Sequence, residues 1–221
     1  MRSKRGSVWS IPVYIGQPPI RQALNAADRL TSHLTERMTD SARSGDERPD
    51  LELIAAWQAG DQRAATSLVE RHAPALARFV ASCGERREVD EVVQDTFVRA
   101  FGSLDTFRAD SSLRTWLFTI ARRLLLDRSR AERRRRDRVE IEEGDAITEF
   151  DALDGVVAAE TRQQLRAAVA GLSPRQREVF ALRVNEGLSY KEIADVVGTT
   201  EGAARVHYHN AVHAIKEFLD D

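Results

Sequence analysis

Apolar side chains recur at three- and four-residue spacing along most of the chain from Leu51 onward, which is the pattern of amphipathic α-helices. In the first part of this stretch the recurring positions are Leu51, Ile54, Ala55, Leu68, Val69, Leu76, Phe79 and Val80. Gly60, Gly84 and the segment 102–112 interrupt the pattern, so we expect helix breaks there. Because no segment alternates apolar and polar residues with a period of two, the sequence predicts an all-α fold.

Two stretches of the chain lack the helical period. Residues 1–48 mix basic residues with Gly, Pro and Ser, and we expect a mostly disordered or weakly ordered extension, or upstream sequence included by a start codon placed too early. Residues 131–158 are rich in charge and poor in large apolar residues, which is typical of a flexible linker. The sequence therefore predicts two small helical domains, over 49–130 and 159–221, joined by an acidic linker.

The second predicted domain contains two capping boxes. Ser173 stands three residues before Gln176, and Ser189 stands three residues before Glu192, so each pair predicts a helix start. After the helix that begins near Ser189, Gly198 allows a tight, left-handed exit. A helix, a tight turn and a second helix in this order predict a helix-turn-helix.

The second helix of this motif, which Thr199 or Thr200 can cap, has an apolar face and a face rich in hydrogen-bonding side chains. Its first turn would meet base edges in the major groove, where Gly202 allows close approach. The alternative is an exposed face without a ligand. His209 and His213 are spaced as metal ligands, but no cysteine or well-placed carboxylate completes a site, so we predict no metal. The predicted DNA contacts are Thr200, Glu201, Gly202, Arg205, Val206, His207 and His209.

Charge is unevenly distributed, although the net charge is only -2. From Arg114 to Arg138 there are ten arginines against three acidic residues, whereas residues 139–160 hold eight acidic residues and no Lys or Arg. The first segment attracts nucleic acid, and the second is repelled by nucleic acid and attracted to basic surfaces.

An acidic helix precedes the basic segment. Asp90, Glu91, Gln94 and Asp95 crowd one region of this helix, where like charges lower helix stability, and an apolar flank that includes Phe97 supplies packing. Such a surface suits a basic protein partner, and a solvated charged face is the alternative.

The loop before the basic helix offers small polar groups and an aromatic ring, which is what holding an unstacked base requires. In the helix itself, an apolar stripe that includes Trp116 is expected to face the core and to leave arginines and threonines for phosphates or bases. The residues predicted to meet nucleic acid here are Phe107, Arg108, Ser111, Ser112, Arg114, Thr115, Trp116, Thr119, Arg122, Arg123, Asp127 and Arg130.

Several classes of protein are disfavoured by composition. The single cysteine, Cys83, excludes an intramolecular disulfide framework and fits a reducing cytoplasm as a small buried residue. No run approaches a membrane span or a signal peptide, so we expect a cytoplasmic protein without membrane insertion. No nucleophile, carboxylate cluster or metal set supports an enzyme, and we predict no cofactor and no small-molecule substrate.

Residues 50–219, in this order, closely resemble the extracytoplasmic-function (ECF) group of the sigma-70 family, the small bacterial sigma factors of two domains joined by a linker. The segment Glu91–Phe97 resembles region 2.2, which implies docking on the β′ clamp helices of core RNA polymerase. The segment Phe107–Arg130 resembles regions 2.3 and 2.4, which open the promoter -10 element and capture a flipped base. The segment Leu172–Leu219 resembles region 4, which reads the -35 element and contacts the β flap. By this resemblance the polymerase-binding residues are Asp90, Glu91, Gln94, Asp95 and Phe97.

The resemblance also implies several partners, although this chain departs from the family pattern at some positions. It implies promoter DNA as a ligand, an anti-sigma factor as inhibitor, and a path for the acidic stretch Glu140–Asp154 through the RNA exit channel of the polymerase. Arg122-Arg123 stands where the family commonly has Arg-Asn, and Arg205-Val206-His207 stands where it has Lys-Ser-Arg. We therefore carry over neither the -10 nor the -35 sequence preference.

Two other functions are open to such a chain. One is a dimeric helix-turn-helix regulator that binds operators without being a polymerase subunit, its first domain acting as a sensor. The other is a DNA-processing enzyme such as a recombinase. The first domain argues against both. It shows neither a sensor pattern nor a catalytic set, whereas its adjacent acidic and basic aromatic helices are accounted for by polymerase docking and strand opening.

Overall fold

A computed structural model of the chain describes residues 46–84, 88–136 and 159–220. Within these ranges every regular element is helical, so the predicted all-α fold is confirmed. Residues 1–45 of the predicted N-terminal extension and the acidic stretch Glu140–Asp154 lie outside the described residues. The helices are α1 (Asp50–Gln58), α2 (Gln62–Ser82), α3 (Val89–Gly102), α4 (Leu113–Arg136), α5 (Ala159–Ala170), α6 (Pro174–Val184), α7 (Tyr190–Val197) and α8 (Glu201–Asp220), with a 3-10 turn at Leu104–Thr106.

The first four helices pack around α2, which contacts α1, α3 and α4. The rings of Phe79 and Phe118 meet edge to face with centroids 5.2 Å apart, and both side chains are fully buried. Most of the apolar positions expected from the sequence lie in this core, but Leu51 and Ala55 are exposed and Leu53 is buried instead. Ile54 is buried as expected, so the face predicted for the short helix α1 is only partly correct.

The second helical unit consists of α5 to α8, with α8 packed against each of the other three. Both capping boxes are present. The Ser173 hydroxyl accepts from the Gln176 backbone N–H at 3.4 Å, and the Ser189 hydroxyl accepts from the Glu192 N–H at 3.3 Å. The N3 side chains reach back to the backbone N–H of Ser173 at 3.0 Å and of Ser189 at 2.9 Å. Local chemistry thus sets the starts of α6 and α7.

The turn between α7 and α8 has the expected geometry. Gly198 adopts φ 67° and ψ 53°, in the left-handed region that a side chain disfavours. The Thr200 hydroxyl then accepts from the Ala203 backbone N–H at 3.2 Å, so Thr200 caps α8.

Helix α4 is longer than the sequence suggested. It continues to Arg136, past position 130, where we placed the end of the first domain. The basic run at its end is therefore helical, and its residues 133–135 are exposed.

The two glycines beside the turn make a matched test of backbone strain. Gly198→Ala should destabilise the chain by about 1–2 kcal/mol, because alanine must adopt a left-handed conformation. Gly202→Ala should stabilise it by up to about 1 kcal/mol, because Gly202 lies within α8 and an added Cβ meets no atom within 4 Å. Urea unfolding of both variants measures the difference, and equal stabilities would contradict the assigned turn.

Candidate nucleic-acid and partner interfaces

The acidic face of α3 lies at the surface of the first unit. Asp90 and Glu91 are exposed, and Gln94 and Asp95 are half-buried. Phe97, predicted as a partner contact, is only 2 % exposed and stacks on Phe101 with centroids 6.0 Å apart. Its side chain therefore packs α3 onto the core, as its place on the apolar flank predicts, and its contact with a partner stays a prediction.

Arg128 of α4 bridges this acidic face, a contact that sequence reasoning missed. Its Nη2 donates to Glu91 Oε1 at 2.8 Å and to Asp95 Oδ2 at 3.0 Å, and its Nη1 bonds Glu88. Burial lowers the pKa of the Arg128 guanidinium, but the bonds to Asp95 and Glu91 outweigh burial and raise it. The cation offsets the like-charge repulsion expected along α3. No local signal reveals a pairing across more than thirty residues of sequence.

A cavity of about 490 Å³ opens beside the loop that precedes α4. Loop residues predicted to hold a base form one side of it, and the start of α1 forms the other, which the sequence did not reveal. Phe107 packs on Trp116 with centroids 5.2 Å apart, so the loop aromatic is fixed by the helix. The lining residues are Pro49, Asp50, Leu51, Phe107, Ala109, Asp110, Ser111, Ser112 and Leu113.

Hydrogen bonds fix the wall and the loop of this cavity. Asp50 Oδ1 accepts from Arg71 Nη1 at 2.6 Å, and Asp50 Oδ2 lies 2.9 Å from His72 Nε2. Burial raises the pKa of Asp50, but the bonds from His72 and Arg71 outweigh burial and leave it below its ordinary value. On the loop side, the Ser112 hydroxyl accepts from the Thr115 backbone N–H at 3.1 Å and so stabilises the start of α4.

The residues of this loop and of α4 that were predicted to meet nucleic acid fall into three groups. Arg108, Ser112, Arg123, Asp127 and Arg130 are exposed. The half-buried ones are Phe107, Ser111, Arg114, Trp116 and Thr119. The remaining two, Thr115 and Arg122, are 1 % and 9 % exposed. Both lie against the second helical unit, because α7 packs along α4. Thr115 and Arg122 are therefore covered in this arrangement of the two units, and their contact with nucleic acid stays a prediction.

Helix α8 presents its predicted contact face to solvent. All the predicted contacts on it are exposed except His207, which is half-buried. Arg205 bonds Glu201 Oε1 at 3.0 Å, and its guanidinium carbon lies 5.1 Å from the centre of the Tyr190 ring. These contacts hold a permanent cation near the first turn of α8, the part that enters a major groove in helix-turn-helix proteins.

The histidines of α8 do not gather a metal site among the residues that the structure describes, where no group of three or more potential ligands occurs. His213 Nδ1 instead lies 3.1 Å from Glu217 Oε2, one turn further along the helix.

Cys83, at the end of α2, is half-buried. Desolvation, reinforced by the nearby Glu178 carboxylate, raises the pKa of its thiol to about 12. The thiol is therefore protonated at neutral pH and is a poor nucleophile.

Two family models match the chain in this order. "Sigma-70 region 2" matches residues 68–135, and "Sigma-70, region 4" matches residues 162–215. The chain belongs to the sigma-70 family. Helices α3 and α4 thus lie in region 2, and the helix-turn-helix of α7 and α8 lies in region 4.

Individual relatives place it in the ECF group of RNA polymerase sigma factors. The chain is 33 % identical over 175 residues to the ECF RNA polymerase sigma-E factor of Salmonella typhimurium, covering 75 % of this chain and 92 % of that protein. It is 30 % identical over 189 residues to the ECF RNA polymerase sigma factor BldN of Streptomyces coelicolor, covering 83 % and 68 %. An operator-binding regulator outside the polymerase is therefore not favoured.

Solved structures agree with this assignment. The sigma factor RpoE in complex with the anti-sigma factor NepR, from Bartonella quintana, is similar with a TM-score of 0.61 and 27 % identity, over 69 % of this chain and 94 % of that chain. CnrH in complex with the cytosolic domain of CnrY is similar with a TM-score of 0.56 and 32 % identity, over 77 % and 97 %. None of the helices in the described ranges is long and apolar enough to cross a membrane.

Acid pH should lower the folding stability of this sigma factor by protonating two carboxylates. The pKa of Asp50 lies below its ordinary 3.8, and hydrogen bonds from Ser189, followed by that from Thr115, hold the pKa of Glu192 below its ordinary 4.5. Both carboxylates have a lower pKa in the folded chain than in the unfolded chain. Their contribution to folding stability is therefore complete at pH values above the unfolded-state pKa, and it is lost as pH falls through the folded-state pKa. The unfolding free energy from urea titrations should therefore fall from about pH 5 downwards.

Replacing each carboxylate by the matching amide tests whether these two groups cause the loss of stability at acid pH. Asp50→Asn and Glu192→Gln should each lower stability at neutral pH and flatten the acid dependence. A dependence as steep as that of the unmodified chain in both variants would show that other groups cause it.

Proposed function

We propose that this sigma factor binds core RNA polymerase through the acidic face of α3, opens and reads the -10 element with the loop 107–112 and α4, and reads the -35 element with the first turn of α8. Catalysis belongs to the polymerase in this scheme, since a sigma factor is an initiation factor. The proposed place of action is the cytoplasm, where RNA polymerase works.

The observation that carries this proposal is the arrangement of region 2. Exposed Asp90 and Glu91 on α3 lie beside a helix that presents Arg123 and Arg130, and a cavity with an aromatic wall opens at the start of that helix. A basic protein surface and a melted DNA strand can therefore bind side by side. The exposed first turn of α8 supplies a second, separate DNA contact.

Two further partners follow from the same reading. The RpoE structure contains the anti-sigma factor NepR, and the CnrH structure contains the cytosolic domain of CnrY. We propose that an anti-sigma factor likewise covers polymerase-binding surfaces of this chain. The β flap of the polymerase is the proposed partner of region 4, and the acidic linker is proposed to run through the RNA exit channel.

Charge reversal on α3 tests polymerase binding. The double substitution Asp90→Lys with Glu91→Lys should weaken binding to bacterial core RNA polymerase by at least roughly tenfold, because complementary charge is replaced by repulsion. Co-elution and fluorescence titration measure the loss. The matched control is Glu70→Lys, an exposed acid on α2, which should bind normally. If the double variant and this control bind equally well, α3 is not part of the polymerase interface.

Promoter choice tests region 4. The purified chain with core polymerase should initiate on genomic DNA at a shared two-part motif, read out by sequencing transcript starts. Arg205→Gln should lower initiation at these sites roughly 5- to 100-fold, because the variant cannot make the proposed arginine contact to a base. Lys216→Gln, an exposed cation near the far end of the same helix, is the control. Binding of DNA as a dimer without polymerase, and no initiation, would overturn the sigma function for this chain.

A further inference from the structure

The cavity beside the loop that precedes α4 contains a carboxylate with unused hydrogen-bonding capacity. Asp50, the first residue of α1, lines this cavity, and 24 % of its side chain is exposed. A carboxylate has about four lone-pair sites on its two oxygens. One oxygen of Asp50 accepts from Arg71 at 2.6 Å, and the other lies 2.9 Å from His72. Each oxygen can therefore accept one more hydrogen bond.

The two partners keep the Asp50 carboxylate in one orientation and offset its charge. Arg71 is a permanent cation, and its Nη2 also donates to the backbone carbonyl of Asp46. An isolated anion would repel a DNA strand, whereas an anion paired with a cation can approach one. The Asp50 carboxylate is therefore fixed in place and can meet a nucleic acid.

The rest of the lining suits a flat ligand with apolar faces. Leu51, with 56 % of its surface exposed, and Phe107 supply apolar surface from α1 and from the loop. Ala109 in the loop adopts φ 58°, a left-handed conformation that alanine disfavours. Such conformations persist where the surrounding structure imposes them, and they occur at ligand-binding loops. A nucleobase, which has two π faces and a polar edge, fits this lining.

Region 4 leaves this cavity open. It packs along α4, where Glu186 pairs with Arg78 and Arg114 and where a buried apolar cluster spans both regions. The residues that line the cavity all belong to the segments 49–51 and 107–113 of region 2. A base can therefore enter the cavity in the arrangement that the structure has.

The charge of Asp50 determines which base edge it can bind. An ionised carboxylate only accepts hydrogen bonds, so the base must donate. Cytosine, adenine and guanine each carry an exocyclic amino group, which donates. Thymine instead has one ring N–H between two carbonyl oxygens, whose lone pairs repel a carboxylate. The cavity thus favours a base that carries an amino group.

We propose that Asp50 is a specificity-determining residue for the -10 element: its carboxylate accepts a hydrogen bond from the exocyclic amino group of the base that the loop 107–112 captures, and it selects against thymine at that position. The inference rests on the proposed -10 role of this loop. It adds α1 to the parts of the chain that read the promoter, and it gives the cavity a chemical preference that the loop alone does not supply.

Initiation on a promoter library tests this preference. Core polymerase with the full chain transcribes promoters that the chain selects, randomised across the -10 element, and the transcripts are counted by sequencing. One position should favour amino-bearing bases over thymine roughly tenfold or more, because thymine cannot make the hydrogen bond to a charged group. In Asp50→Asn this ratio should fall several-fold, because an amide can also donate to the carbonyl oxygens of thymine. The matched control, Glu52→Gln, changes an exposed acid of the same helix and should keep the ratio.

A change in the DNA alone guards against a destabilised variant. With the unmodified chain, the captured base is replaced by its analogue without the amino group, namely a pyrimidinone for cytosine, purine for adenine or hypoxanthine for guanine. Initiation should fall about as far as it does with thymine. Circular dichroism verifies that Asp50→Asn retains its helices.

Binding to the free chain separates this inference from the proposed function. The probes are short single-stranded homopolymers of deoxycytidine and of thymidine, measured by fluorescence anisotropy. The unmodified chain and Glu52→Gln should bind the thymidine homopolymer more weakly, and Asp50→Asn should lose that difference. If the unmodified chain does not initiate with core polymerase, the proposed function fails, and this binding difference still decides the role of Asp50. If folded Asp50→Asn matches Glu52→Gln in base preference by both measurements, that role is overturned.

Discussion

The charge pairing of α4 is the interaction on which the rest of the structure depends. This helix carries arginines on several sides, and carboxylates from two other parts of the chain bind it. Arg128 is held by acids of α3, and Arg114 and Arg122 are held by acids of region 4. The first pairs lie beside the buried apolar contact of α3 with the core, and the others lie along the contact of the two regions. The cations that remain exposed, such as Arg123, are left for external ligands.

The same surface therefore serves two purposes in our account. Packing of α7 along α4 covers part of α4 in this structure, whereas the proposed -10 role needs α4 to be accessible. Separating the regions exposes part of a shared apolar core and leaves Glu186 without its partners, and both changes cost free energy. A partner that binds the covered side of α4 must therefore supply that free energy.

Sequence reasoning succeeded where the determinants were local. The capping boxes at Ser173 and Ser189 and the left-handed Gly198 are each specified within a few residues, and the structure has all three as predicted. It failed where partners are distant. Nothing near Glu186 indicates Arg78, which is 108 residues away. Pairing and burial of this kind depend on how whole helices pack, which periodicity alone does not determine.

The most direct test of the central claim is the distance between α4 and α8 before and after initiation. Spin labels at Ser129→Cys and Lys216→Cys, two exposed positions, in a Cys83→Ala background would report it by double electron–electron resonance. The account predicts one narrow distance distribution in the free chain, because the two units pack on one another, and a longer distance in the complex with core polymerase and promoter DNA, because the proposed -10 role needs α4 to be accessible. A broad distribution in the free chain, or an unchanged distance in the promoter complex, would contradict it.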